Sequence, residues 1–340
     1  MRHRWFTSLG AAVLAVSLAM VAVSAQAPSG GAYKTPANTF GQPDLEGVWA
    51  NNSATPLERP KQLEGRKFLT ETEVARLKSR AAELFNGDGD AAFGEEIFVA
   101  ALSGRDKYVA DSFDKDTGNY NSFWLVDRDF DNRTSLITEP EDGRVPEMTP
   151  AAKARLGDTS LSILVVPQKA DSHQDRPLYE RCITFGFPDL LAGYNSYYQI
   201  SQAKDYVAIS TERIHDTRVI PLDGRPHPPK NVTFLHGDSR GRYEGATLVV
   251  VTKNFSGKSP FMGSAENLEI TERFKRMGAK TISYEVTVTD PTTWTKSWKF
   301  MVPLKHSNEK IYEYACHEGN TGMIGVLAGA RVQEREKSGK

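Results

Sequence analysis

The stretch Thr281-Ile-Ser-Tyr-Glu-Val-Thr-Val-Thr289 alternates apolar and polar residues over its whole length. A period of two places every apolar side chain on one face of an extended strand, whereas a helix would scatter them around its axis. The chain must therefore build a sheet with one dry face, and a dry face needs partners. Strand signals recur at residues 198–202, 206–210, 218–222, 247–252, 268–274, 298–304 and 311–316. The links between them are too short for crossover helices, which excludes a parallel sheet. The expected fold is mainly β, an antiparallel meander or closed barrel spanning residues 178–334.

Ahead of that sheet the pattern changes. Residues 26–60 are rich in Gly, Pro, Ser and Thr and read as an extended arm, broken by a short apolar strand at Gly47-Val-Trp49. Gly-x-Trp resembles the opening strand of lipocalin-type barrels. Residues 61–177 read as a mixed helical and strand segment. A helix is predicted over residues 70–86, where Thr70 and Glu73 form a capping box and Val74, Leu77, Ala81, Leu84 and Phe85 follow helical spacing. Asp88-Gly-Asp90 fails the EF-hand pattern and reads as a solvated loop. Two strands are predicted within residues 122–137, and a short helix follows Thr149-Pro150. Near the end, residues 323–334 predict an amphipathic helix laying Ile324, Leu327 and Ala330 on the sheet, with 335–340 as a tail.

The first residues are Met-Arg-His-Arg, followed by an apolar run from Trp5 to Val23 and by Ser24-Ala25-Gln26-Ala27-Pro28. A basic start, a short apolar core and small residues at the exit predict a secretory signal peptide over residues 1–25. The mature chain is expected to be periplasmic or secreted, with no membrane contact after cleavage. Its two cysteines, Cys182 and Cys316, then read most simply as one disulfide. Lys and Arg number 42 against 43 Asp and Glu. The arginines are interleaved with acids, so no basic face exists for nucleic acid to bind.

Chemistry concentrates between Glu212 and Gly245, which hold three histidines, five arginines and several carboxylates. Such groups are costly to bury unless paired, so they form either a structural ion-pair lattice or a site. His215 and Asp216 point to opposite faces if they lie on a strand, so His215 is expected to take its carboxylate from another segment, such as Asp238 or Glu318. A histidine oriented in this way serves as general acid or base. A Cys182–Cys316 bridge would draw His317 and Glu318 toward Arg181, making them further candidates. Arg218, Arg225, Arg240 and Arg242 suit an anion clamp, or else pair with Glu212, Asp216, Asp238 and Glu244. His215, His227, His236 and His317 are metal-ligand types, yet no pair has zincin spacing, and neither a metal nor a cofactor is assigned. Gly237-Asp-Ser-Arg-Gly241 resembles a protease nucleophile segment in letters only, and Ser239 reads as part of a loop turn. Tyr197, Tyr198, Phe234, Trp294 and Trp298 are available to line a pocket or fill a core.

Several longer motifs occur together: Pro43-Asp-Leu-Glu-Gly-Val-Trp49, Thr55-Pro-Leu-Glu-Arg-Pro60, Glu180-Arg-Cys182, His215-Asp-x-Arg-x-Ile-Pro-Leu-Asp-Gly-Arg-Pro-His227, Gly237-Asp-Ser-Arg-Gly-Arg242, Glu272-Arg-Phe274 and Tyr314-Ala-Cys-His-Glu-Gly-Asn320. With them, residues 43–334 resemble a family of exported bacterial proteins, common in soil-dwelling groups, to which no function is assigned. The resemblance implies relatives and supplies no mechanism. The chain departs from that pattern at Tyr243, where Trp is usual, and at Ala246 and Val251, where Asp is usual. The residues themselves favour an exported enzyme that uses His, Asp and Arg on a small organic, aromatic or anionic substrate, as a lyase, isomerase or hydrolase. The alternative is a non-catalytic β-barrel that carries a small ligand in the periplasm.

Overall fold

Period-two patterning produces a strand at residues 281–289, where the alternation is strictest. The computed structural model describes residues 33–339 except 86–90, 93–94, 105–106, 110–126, 157–168, 191 and 259. The expected signal peptide, the Asp88-Gly-Asp90 loop and the start of the 122–137 strand pair lie outside these residues. From Lys34 onward the chain forms a single unit. Its strands are β1 (Gly47–Ala50), β2 (Ile137–Glu139), β3 (Tyr197–Gln202), β4 (Tyr206–Thr211), β5 (Thr217–Pro221), β6 (Asp238–Glu244), β7 (Thr247–Lys253), β8 (Glu269–Gly278), β9 (Thr281–Thr289) and β10 (Trp298–Ser307).

All ten join one antiparallel sheet in the order β5-β4-β3-β1-β10-β9-β8-β7-β6, with β2 pairing β10 beside that path. The sheet is a meander interrupted once, where β1 sits between β3 and β10, with Trp49 opposite both Tyr198 and His306. The strictly alternating β9 lies between β8 and β10, with Val286 opposite Glu272 and Phe300. The dry faces of these strands meet in one core that includes Ile200, Ile209, Ile220, Val250, Ile270, Phe274, Val286 and Phe300.

The expected closed barrel does not form. β5 and β6 remain the two edges, and no backbone ladder joins them. Side chains occupy the seam instead: methyls of Ile220 and Leu222 lie 2.8 Å from where a Cβ on Gly241 would sit. Pro221, which ends β5, has no N–H to offer a neighbour. Apolar packing thus fills the gap that a hydrogen-bonded closure would have used.

The predicted N-terminal helix is α1 (Glu71–Leu84). Thr70 Oγ1 accepts from Glu73 N at 3.2 Å, and Glu73 returns a carboxylate to Thr70 N at 2.8 Å. With α2 (Glu96–Ser103) it buries a second, smaller cluster around Leu77, Ala81, Phe98 and Phe130. The short helix α3 (Pro150–Leu156) starts at Thr149 as its residues predict.

Two C-terminal expectations are corrected. Residues 311–316 are not a strand, because Tyr312 N donates to the Glu212 carboxylate at 3.1 Å and Cys316 is tied to Cys182. The last helix, α4 (Thr321–Ser338), does not pack its apolar side on the sheet; none of its residues is buried, and Ile324 is 71% exposed. Gly322, Gly325 and Gly329 leave that side little to bury, and the helix is held at its start, where Asn320 caps Met323 N and donates to Glu180 O at 2.9 Å. The Cys182–Cys316 disulfide is present and joins residues 134 positions apart. Closing so long a loop stabilises the fold by about 4–5 kcal/mol in the chain-entropy model.

Candidate functional site

The site begins at a corner between β4 and β5. Ile214 (φ 51°) and His215 (φ 43°) both adopt left-handed backbone conformations, which non-glycine residues enter only when the surroundings enforce them. The corner turns Arg213 inward and His215 outward to solvent. Arg213 is fully buried and donates to Asp189 Oδ2 from Nε at 2.9 Å and from Nη2 at 2.6 Å, and also to the carbonyl of Tyr194. Its guanidinium carbon lies 4.9 Å from the Phe185 ring centre. From this corner the strand alternates: Thr217 and Val219 are exposed, while Asp216, Arg218 and Ile220 face the interior.

Arg218 forms a bidentate pair with Glu272 on β8, both contacts at 2.9 Å, and its guanidinium lies 3.6 Å from the Phe187 ring centre. Glu272 has no exposed surface, although it occupies an inward position between Ile270 and Phe274. Tyr284 on β9 donates its hydroxyl to Glu272 Oε1 at 2.9 Å. The carboxylate thus receives three donated hydrogen bonds, the pairing that a buried polar group requires.

Beside this pair, three side chains meet. The Thr184 hydroxyl lies 2.6 Å from Asp216 Oδ2 and 2.6 Å from His236 Nε2, and it accepts from Gly186 N at 2.9 Å. Asp216 and His236 are themselves 3.5 Å apart. One hydroxyl proton serves one neighbour only. If Thr184 donates to Asp216, then His236 donates Nε2–H to Thr184; if it donates to His236, Asp216 must supply a proton of its own. Thr184 therefore bridges the carboxyl and the imidazole, with its one proton available to either. Burial pushes the Asp216 carboxyl above its ordinary range, against the pull of the Thr184 hydrogen bond and of His236. Burial likewise pushes His236 down, opposed by Asp216 and assisted by Arg218. Both shifts favour the uncharged forms, the condition in which an acid–base pair exchanges a proton at modest cost. Gly237 fixes the approach of His236: its φ is +67°, and a Cβ there would come within 2.7 Å of Lys253 O.

Asp216, Arg218, His236, Glu272 and Tyr284 line one cavity with Phe187, Tyr198, Ile209, Thr211 and Phe274. In this conformation the cavity has room for about one or two water molecules. Asp216, Arg218 and Tyr198 are the members expected from sequence.

The remaining candidates lie elsewhere. His317 and Glu318 are exposed in the turn after Cys316. Asp238 pairs with His227 Nδ1 at 2.7 Å and with Arg240 at 2.7 Å. Arg225 pairs with Asp223, and Arg242 with Glu244 at 2.6 Å. Ser239 is a buried residue of β6 rather than part of a loop turn, and its hydroxyl is 2.9 Å from that of Thr252. Trp294 and Trp298 belong to the core, while Phe234 is exposed. Of the positions that depart from the resembled family, Tyr243 bonds Gln202 at 2.6 Å, Ala246 lies in the β6–β7 turn and Val251 is on β7; none lines the cavity.

Thr184, Asp189, Glu272 and Tyr284 were not singled out as site residues. Only Glu272 carried a signal, as a charge at an inward-facing position of an alternating strand. Among the described residues no three His, Cys, Asp or Glu side chains converge as metal ligands. Compared with family models, with curated proteins and with solved structures, the chain matches none.

Proposed function

We propose that the protein is an exported acid–base enzyme acting on a small organic molecule, with Asp216 and His236 exchanging the proton through Thr184. One observation carries the reading: the uncharged-leaning carboxyl and imidazole line the same aromatic-walled cavity. A lattice that served stability alone would have no need to face that space. Arg218, Glu272 and Tyr284 hold the wall of the cavity rigid, and the chemistry fits proton transfer in a lyase, isomerase or hydrolase. Export agrees with the disulfide, which suits an oxidising compartment.

The test is a turnover screen of the purified protein against small carbonyl compounds, β-hydroxy carbonyl compounds and esters, run beside Asp216→Asn and His236→Gln. Positioned acid–base groups contribute roughly 10²–10⁴-fold, so turnover in the wild type should fall by about that factor in either variant. Turnover indifferent to both substitutions would sink the proposal. The second reading, a non-catalytic carrier, is favoured by the way Arg218 and Glu272 are spent on each other. Ligand binding without turnover would establish it.

A further inference from the structure

No residue between Lys305 and Gly339 is buried, yet this stretch is fastened to the least regular part of the site. Residues 178–190 form neither helix nor strand, and they supply Thr184, which bridges Asp216 and His236, Phe187, which covers Arg218, and Asp189, which holds Arg213. The fastening is at Cys182. There the backbone is left-handed, with φ 55°, a conformation that a non-glycine residue keeps only while its surroundings hold it. The holders are C-terminal: the Cys316 sulfur, and Asn320, which donates its amide to Glu180 O at 2.9 Å and to Cys182 Sγ at 3.3 Å. Thr184 follows two residues later.

The sheet does not depend on this fastening, because all of its strands lie between Gly47 and Ser307. Besides the disulfide, the C-terminal stretch is tied by polar contacts, from Tyr312 N to Glu212 at 3.1 Å and from Arg331 to the carbonyls of Ala170 and Asp171. A segment with no buried side chain opens readily once its covalent tie is cut. The tie can be cut from one side. Cys182 is buried and Cys316 is half-buried, so an incoming thiolate meets the Cys316 sulfur and expels Cys182. That leaving sulfur already accepts from Asn320 at the start of α4, a setting that favours a thiolate and so speeds its departure.

We propose that Cys182–Cys316 is a redox-sensitive clasp: reduction by a dithiol frees residues 308–339 and lets Thr184 leave its place between Asp216 and His236, so the acid–base cluster is assembled only in the oxidised protein. This rests on the reading of that cluster as the site and adds its regulation. The reductant's first thiolate forms a mixed disulfide with Cys316 as the S–S bond to Cys182 breaks; its second thiolate then displaces Cys316. Two electrons and two protons pass to the protein as two thiols, and the reductant leaves as its own disulfide. With both ties at Cys182 gone, its left-handed backbone relaxes and carries Thr184 with it.

The experiment compares the oxidised protein with the same protein reduced by dithiothreitol at one fixed pH. Amide exchange within residues 308–339 should quicken at least about tenfold, while the far-UV circular dichroism of the sheet stays as it was. The NMR signals of the His236 ring should shift on reduction and return on reoxidation. Cys182→Ser with Cys316→Ser should reproduce the reduced spectrum without any reductant; if that variant does not fold, the reversible reduction of the wild type decides. Loss of the sheet on reduction would overturn the proposal by making the bridge a staple of the whole fold. A freed C-terminal stretch with an unmoved His236 would overturn it by uncoupling the clasp from the site, and so would a disulfide that resists millimolar dithiothreitol. The clasp is read from exchange and from the His236 ring, and the acid–base reading from turnover, so either can fail without the other.

Discussion

Two sets of arginines drawn from neighbouring motifs end in opposite environments. Arg218 lies inside the curled sheet on a fully buried Glu272, whereas Arg242 pairs with Glu244 in open solvent, and Arg273 joins that carboxylate from β8. Both are Arg–carboxylate pairs of nearly equal length. They differ in what surrounds them, and that decides their weight: the buried pair ties β5 to β8 through the interior, while the surface cluster is screened by water and salt. Strand alternation makes the assignment, since β5 turns Arg218 inward and β6 turns Arg240 and Arg242 away from the cavity.

The largest break of that contrast is Glu272→Gln. Stranding Arg218 should cost about 3–5 kcal/mol in a denaturant titration. Replacing both partners, Arg218→Met with Glu272→Leu, should recover most of the loss, and a double variant as unstable as the single one would show that the pair is not the cause. Next comes Gly237→Ala, where the left-handed backbone and the nearby Lys253 carbonyl predict a loss of about 1–3 kcal/mol.

A smaller effect separates the two halves of the proton-sharing cluster by pH. His236 has a folded-state pKa below its ordinary 6.5, so its contribution to stability is present above that value and is lost as the pH falls through the lowered one. Asp216 has a folded-state pKa above its ordinary 3.8, so its contribution is present below 3.8 and is lost as the pH rises through the raised one. Urea titrations between about pH 8 and about pH 5 should therefore show the wild type weakening on acidification more than His236→Gln does. Equal slopes would mean that His236 is not desolvated. Smallest of all is Arg242→Ala, for which no measurable change in Tm is expected, since the pair it removes is exposed.

Much of the sheet was legible because its signal is local. β9 is found at the residues its alternation predicts, and the neighbouring hairpins follow from short links. β6 was missed, since Gly237, Gly241 and two arginines mask its strand character, and its place is set by pairing with β7 over seven residues. Openness was equally hidden, because it depends on how Ile220 and Leu222 meet Gly241 across the seam. Asp216, Arg218 and the three histidines marked the right region, but partner choice did not follow from the letters. Asp216 takes His236 through Thr184, a residue 32 positions earlier in the chain, and His227 takes Asp238. Pairings of that kind are written by the path of the backbone between strands, and no local pattern encodes them.

The position of β1 has a temporal consequence. Its two neighbours, β3 and β10, lie about 150 and about 250 residues further along the chain, so the centre of the sheet stays incomplete until nearly the whole polypeptide has been made. Trp49, fully buried between Tyr198 and His306, is among the first core residues to leave the ribosome and among the last to be covered. A protein wired in this order completes its sheet only once the far end of the chain arrives.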